Sequence, residues 1–293
     1  MEKAASIIIR KIKGFPPLPA VAAKLIKLTG DPDSSIEDIA AIISMDPSFA
    51  IETLRLANSP IWGRIHGIAS IKEALSVLGI SAVRDLILSK AVFNSFKHIG
   101  KTGKAFTQKF WEHSFLCGLA ANMIADDLKA NKDSCFIAGL LHDIGKLVVY
   151  LALPGEFVKI ADQSEANLFG SLKYESKIIG VTHDRVGQLL LEHWLFPQDL
   201  IFAVGYHHHP QKTDEISLVP MIVNIGDIIS NCVQVQDETQ LDENACCAWI
   251  TKGRTAFFKK HDKDWNSLRL LQYIERLTTL KEENIETMRL FLS

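Results

Sequence analysis

The stretch Ser35-Ile36-Glu37-Asp38-Ile39-Ala40-Ala41-Ile42-Ile43-Ser44-Met45-Asp46-Pro47 decides the fold class. Ile39, Ile42 and Ile43 recur at the three- and four-residue spacing of one helix face, and Ile51, Leu54 and Leu56 continue it past a break. Ser35 followed by Asp38 is a capping-box pattern, which satisfies N–H groups that a helix start leaves free. Asp46-Pro47 places an N-cap before a proline at the first helical position. Ser70-Ile71-Lys72-Glu73 repeats the box pattern, and Ser81 can cap a helix starting at Ala82. Few runs alternate with period two, so an all-α chain with at most a trivial sheet is expected.

Working outward, Phe15-Pro16-Pro17-Leu18-Pro19 is a stiff entry segment, and Asn58-Ser59-Pro60 and Gly79 punctuate the helices. A polar break, His98-Ile99-Gly100-Lys101-Thr102-Gly103-Lys104, divides two helical lobes, and the composition shifts again after Asn231. The expected organisation is an N-terminal lobe over 1–100, a second lobe over 101–233 and a charged helical tail over 234–293. No internal repeat stands out.

A chain of 293 residues can bury a sizeable core, and 47% hydrophobic with 23% charged residues is ordinary globular composition. Lys+Arg 32 against Asp+Glu 34 leaves no basic excess to hold a nucleic-acid backbone. The local cluster Lys252, Arg254, Lys259 and Lys260 reads as a solvated helix face. Cys117, Cys135, Cys232, Cys246 and Cys247 are odd in number and contain no C-x-x-C pair, which fits reduced thiols in the cytoplasm. The N-terminal apolar run is too short for a signal-peptide core, and no membrane span is expected.

The chemistry concentrates in the middle. Of 10 histidines, seven lie between His113 and His209. His142-Asp143 pairs an imidazole with a carboxylate, the ligand types suited to Zn, Fe, Mn or Ni where thiolates are absent. A buried carboxylate needs compensation, and a divalent ion supplies it. Further possible ligands are His183, the run His207-His208-His209, and Asp227 within an apolar helix pattern. Each has a plainer reading: His113 beside Trp111 as a core histidine, consecutive histidines as a surface cluster, and Asp227 as a cap. His66, His98, His193 and His261 stay with the plain reading.

His142-Asp143-Ile144-Gly145-Lys146 resembles the H-D-I-G-K motif of the HD superfamily, shared with HD-GYP phosphodiesterases. The N-terminal lobe resembles the HDOD domain through Leu18-Pro19, Asp46-Pro47, Leu56-Ala57-Asn58-Ser59-Pro60, Ile71-Lys72-Glu73-Ala74 and Leu78-Gly79-Ile80. Gly180-Val181-Thr182-His183, Val186-Gly187, Trp194, Pro197 and Tyr206-His207-His208 with Pro210 extend the likeness to about Ser230. The resemblance implies a two-lobed helical HDOD fold with an HD-type metal pocket in the second lobe. By position, His113, His142, Asp143 and Asp227 would hold one ion, and Asp143 would bridge to a second held by His183, His207 and His208. Asp143 and Lys146 would carry any catalysis, Lys146 beside a substrate phosphate and one helical turn beyond His142. His209 has no family role and is expected to be exposed.

Many HDOD domains lack most of these ligands, whereas this chain keeps them all. The Gly-Tyr-Pro segment of cyclic-di-GMP phosphodiesterases is replaced by His209-Pro210-Gln211-Lys212-Thr213-Asp214-Glu215. Two functions follow. Family habit favours a regulatory signalling module that binds a partner protein or a phosphorylated small molecule. The intact ligands and Lys146 favour a metal-dependent phosphohydrolase.

Overall fold

The computed structural model describes residues 2–29, 33–59, 67–96, 104–164, 171–210, 218–236 and 267–292. Among these every regular element is helical. The chain divides into two compact units, one of Met1–Phe15 with Ala105–Thr278, the other of Pro16–Lys104 with Thr279–Ser293. The first fifteen residues therefore group with the histidine-rich unit, not with the lobe that follows them in sequence. Most of the 98–104 break lies outside the described residues, as do His66, His261, Cys246, Cys247 and the basic cluster at 252–260.

In the histidine-rich unit, α1 (Glu2–Lys13) buries Ile8 and Ile12. It packs on α9 (Ile144–Ala152) and α12 (His183–His193). The frame is completed by α7 (Lys104–Asp127), α8 (Lys132–Leu141), α10 (Pro154–Ser164), α11 (Ser171–Ile178), α13 (Gln198–Tyr206) and α14 (Val219–Gln236). The shift to polar sequence at 234 falls inside α14, so Gln234 belongs to a core helix. By length and composition alone 132–152 could cross a bilayer, as the core helix of a folded unit also can. Yet 78% of its apolar window is buried in the unit, and its helix breaks at His142-Asp143. Cys117, Cys135 and Cys232 are buried thiols outside any disulfide, in line with reduced cysteines.

Two glycines set the helix spacing. A Cβ on Gly145 would lie 1.9 Å from the His183 carbonyl oxygen, so α9 meets α12 backbone to backbone. A Cβ on Gly139 would lie 2.8 Å from the Cys117 oxygen and the Gly118 Cα, which brings α8 equally close to α7. These contacts carry His183 toward Asp143 and His142 toward His113.

The other unit holds α2 (Ala20–Thr29), α3 (Ile36–Ser44), α4 (Pro47–Ala57), α5 (Ile71–Leu78) and α6 (Ile80–Phe96). The helix α15 (Ser267–Glu283) belongs to the histidine-rich unit as far as Thr278 and to this one from Thr279, and α16 (Ile285–Leu292) packs on α6. The capping box at Ser35 forms as expected, with the Asp38 carboxylate accepting from the Ser35 backbone. At Ser70 the box is altered: the Ser70 hydroxyl accepts from Glu73 N, but the Glu73 carboxylate takes the Ala69 N–H at 2.8 Å. Ser81 is no cap, because α6 already starts at Ile80 after Gly79, whose φ of 87 ends α5. The Asn58 side chain accepts the Ile68 N–H at 2.6 Å and donates to the Ile68 carbonyl at 2.8 Å.

Candidate metal centre

Asp143 organises the site. Its φ of -97 and ψ of 7 place it in the sparsely populated bridge region, between the end of α8 and the start of α9. His142 and Lys146 thus stand on different helices, not one turn apart on a single face. The sharp turn lets the adjacent His142 and Asp143 aim at one point, as a continuous helix would not.

The two Asp143 oxygens face different groups. Oδ2 lies 3.3 Å from His142 Nε2 and 3.7 Å from His113 Nε2. Asp227 Oδ1 closes that group at 3.2 Å from His113 Nε2 and 3.7 Å from His142 Nε2. Oδ1 lies 2.9 Å from His183 Nε2 and 3.8 Å from His207 Nε2. His208 Nε2 sits 3.0 Å from His183 Nε2. Donor atoms of Asp143, His183, His207 and His208 all lie within 4.8 Å of one another, as do those of His113, His142 and Asp143. The structure therefore brings together all seven residues named from sequence. It leaves His193 exposed and His209 half-buried, the latter less open than expected.

The outward ring nitrogens are held. His142 Nδ1 donates to the Gly139 carbonyl and His207 Nδ1 to the Val204 carbonyl, each at 2.7 Å. His183 Nδ1 donates to the Glu175 carboxylate at 2.8 Å, and Glu175 also accepts the His183 backbone N–H at 2.7 Å. His113 Nδ1 donates to Gln234 Oε1 at 3.1 Å. Asn231 donates to Asp227 Oδ1 at 2.8 Å. Such outer partners fix the tautomer that presents Nε2 to a metal. Glu175, Asn231 and Gln234 were not singled out from sequence. Glu175 lies in a polar run, Lys173-Tyr174-Glu175-Ser176-Lys177, which gives no sign that it is buried.

The inward atoms lack partners. His142 Nε2, His207 Nε2 and Asp143 Oδ1 are buried and make no hydrogen bond. Asp143 Oδ1 is near His183 Nε2, but the pair lacks hydrogen-bond alignment. Without an ion the cluster redistributes protons. Burial opposes a charge on His142 and His183, yet Asp143 raises His142 well above its usual range, and Glu175 and then Asp143 raise His183 to about 9. Burial, then the charges on His142 and His183, push His207 down to about 4. Burial and His207 hold His208 well below its usual value. Burial likewise opposes the Asp143 and Asp227 charges, and their histidine partners overcome it, joined at Asp143 by Lys146. This donor set fits divalent metal: neutral imidazoles and carboxylates converge, and two adjacent nitrogens about 2.1 Å from one ion would sit about 3 Å apart.

Lys146 Nζ contacts Asp143 Oδ2 at 2.5 Å. Its side chain is 30% exposed, and His113 and His208 are half-buried, so solvent reaches the cluster along these three. Lys146 stands in the first turn of α9, where the helix dipole disfavours a cation, so its contact with Asp143 accounts for its place better than the helix end does.

The HDOD domain family model matches residues 15–210. An uncharacterized protein of Treponema pallidum (strain Nichols) is 27% identical over 231 residues, or 76% of this chain; the match spans 43% of that protein. The fold is similar to a candidate phosphohydrolase from Shewanella amazonensis SB2B (20% identity, TM-score 0.72, 97% of this chain and 98% of that one). It is also similar to an HDOD domain protein of unknown function from Geobacter sulfurreducens (20% identity, TM-score 0.66, 99% and 97%).

Proposed function

The chain belongs to the HDOD domain family, and we propose that it is a cytoplasmic signal-transduction protein whose histidine-rich unit binds one or two divalent ions (Fe, Mn, Ni or Zn) and hydrolyses a phosphoester. The observation that carries this reading is Asp143, whose two oxygens face separate groups of imidazoles already held in the ligating tautomer. His113, His142, Asp143 and Asp227 would hold one ion, and Asp143, His183, His207 and His208 the other. Ions there supply charge for phosphoryl oxygens and acidity for an attacking water. The protein itself holds the imidazoles rigid, keeps Asp143 ionised and offers Lys146 as a mobile cation for the substrate anion. The partly exposed side chains of His113, Lys146 and His208 offer a substrate anion an approach to the cluster.

The second reading, a regulatory module with a structural ion and a signalling protein or phosphorylated small molecule as partner, rests on family habit; the missing Gly-Tyr-Pro segment counts against cyclic-di-GMP as substrate and leaves other phosphoesters open. One experiment separates them: hydrolysis of an aryl phosphodiester and an aryl phosphomonoester by ion-loaded protein, with and without chelator. Chelator-sensitive turnover is expected, lowered about tenfold or more by Lys146→Ala, the scale of one lost transition-state contact. No turnover by ion-loaded wild type would leave the regulatory module.

A further inference from the structure

Lys146 and one ion compete for the same oxygen. Asp143 Oδ2 faces the His113, His142 and Asp227 group, and it is the oxygen that Lys146 Nζ occupies at 2.5 Å. A ligating carboxylate oxygen lies about 2.0–2.2 Å from its metal. Ammonium and ion on one oxygen would repel strongly in a site this buried. Among the described residues no lysine or arginine stands at Asp143 Oδ1, which faces the imidazoles of His183 and His207. The outer support differs in the same sense. His183 donates to a carboxylate, Glu175, which strengthens it as a ligand, whereas His113 donates to the neutral amide of Gln234.

We infer that Lys146 is an exchangeable counter-ion that makes the two ion positions unequal: the His183, His207 and His208 position fills first, and an ion at the His113, His142 and Asp227 position must displace Lys146 from Asp143. The inference rests on the metal-binding part of the proposal above and adds its regulation. The displaced ammonium has an outward path, because its four-carbon stem is flexible and its side chain is 30% exposed. Lys146 is then free for a phosphoester anion only when the second ion has arrived. The site thereby senses divalent-ion concentration: one ion leaves the lysine on the carboxylate, and two release it toward substrate.

The test is a calorimetric Mn²⁺ titration of the chelator-stripped full chain, followed by inorganic phosphate titration of the one-ion and two-ion forms. Wild type should bind two ions in separable steps and bind phosphate at least tenfold more tightly in the two-ion form. Lys146→Met keeps the stem and removes the charge. It should tighten the second step about tenfold or more, leave the first within about threefold, and weaken phosphate binding to the two-ion form. Lys146→Arg, which restores the charge, should return the weak second step and exclude a folding artefact. An unchanged or weakened second step in Lys146→Met overturns the inference, as does uptake of a single ion by wild type. Ion steps that respond as described in a protein that hydrolyses no phosphoester would keep the inference and reject the hydrolytic reading alone.

Discussion

At the residue scale, Glu175 shows how one buried carboxylate tunes a ligand eight residues away. It accepts both the backbone and ring N–H of His183 and, against the cost of burial, helps raise that imidazole to about 9 in the ion-free protein. An ion that takes Nε2 must expel this proton. The sign follows. Below about 9 the proton competes, so ion affinity should rise with pH, by up to tenfold per unit per proton released, and level off above about 9. Mn²⁺ calorimetry in buffers of different ionisation enthalpy counts the protons. Glu175→Gln removes a cause of the raised value and should move the plateau to lower pH while weakening ion binding about 10–100-fold, the usual effect of losing an outer partner. A wild-type affinity that is flat between pH 7 and 9 would refute the proton coupling.

At the element scale, helix spacing decides whether the ligands meet. A methyl group on Gly145 would strike the His183 backbone carbonyl, which cannot move aside as a flexible side chain could. Gly145→Ala should therefore cost about 3 kcal/mol or more, the upper end of overpacking, and reduce ion stoichiometry. Denaturant unfolding and metal analysis of the same sample check both; a variant as stable as wild type with full ion content would refute this account. A helix end offers the opposite case. Leu195 has φ 57 and is 74% exposed, just past the end of α12, where the Phe196 N–H bonds to the Leu191 carbonyl in a Schellman-type turn. The left-handed conformation costs a leucine about 1–2 kcal/mol, and glycine gives back about 0.4–1 kcal/mol in unfolded-chain entropy. Leu195→Gly should stabilise the protein by about 0.5–1 kcal/mol, seen as a higher denaturant midpoint with unchanged slope.

At the scale of the whole molecule, the metal centre lies within the unit built from Met1–Phe15 and Ala105–Thr278. That unit buries several unpartnered polar atoms when no ion is bound, so the ion-free protein carries a desolvation cost that ligand binding relieves. Free Mn²⁺ at about 100 times its dissociation constant should add about 2.7 kcal/mol by mass action. At roughly 2–4 °C per kcal/mol for 150–250 residues, Tm should rise by about 5–10 °C and fall again with chelator. An unchanged Tm on saturating metal would show that no ion binds the folded state preferentially.

Sequence alone determined the helical class, because capping at Ser35 and the recurrence of Ile39, Ile42 and Ile43 are local properties of the chain. It also pointed to the seven candidate ligands, since a motif preserves order and residue type. Tertiary structure decided what local patterns cannot encode. Met1–Phe15 joins a unit that resumes only at Ala105, and Gln234, at the start of a polar run, turns inward to His113. Gly145 matters only because α12 passes 1.9 Å from an absent methyl group. Burial of Glu175 and the contest of Lys146 for Asp143 Oδ2 likewise depend on distances between helices. Such distances arise from packing between segments far apart in sequence, which spacing along one chain does not specify.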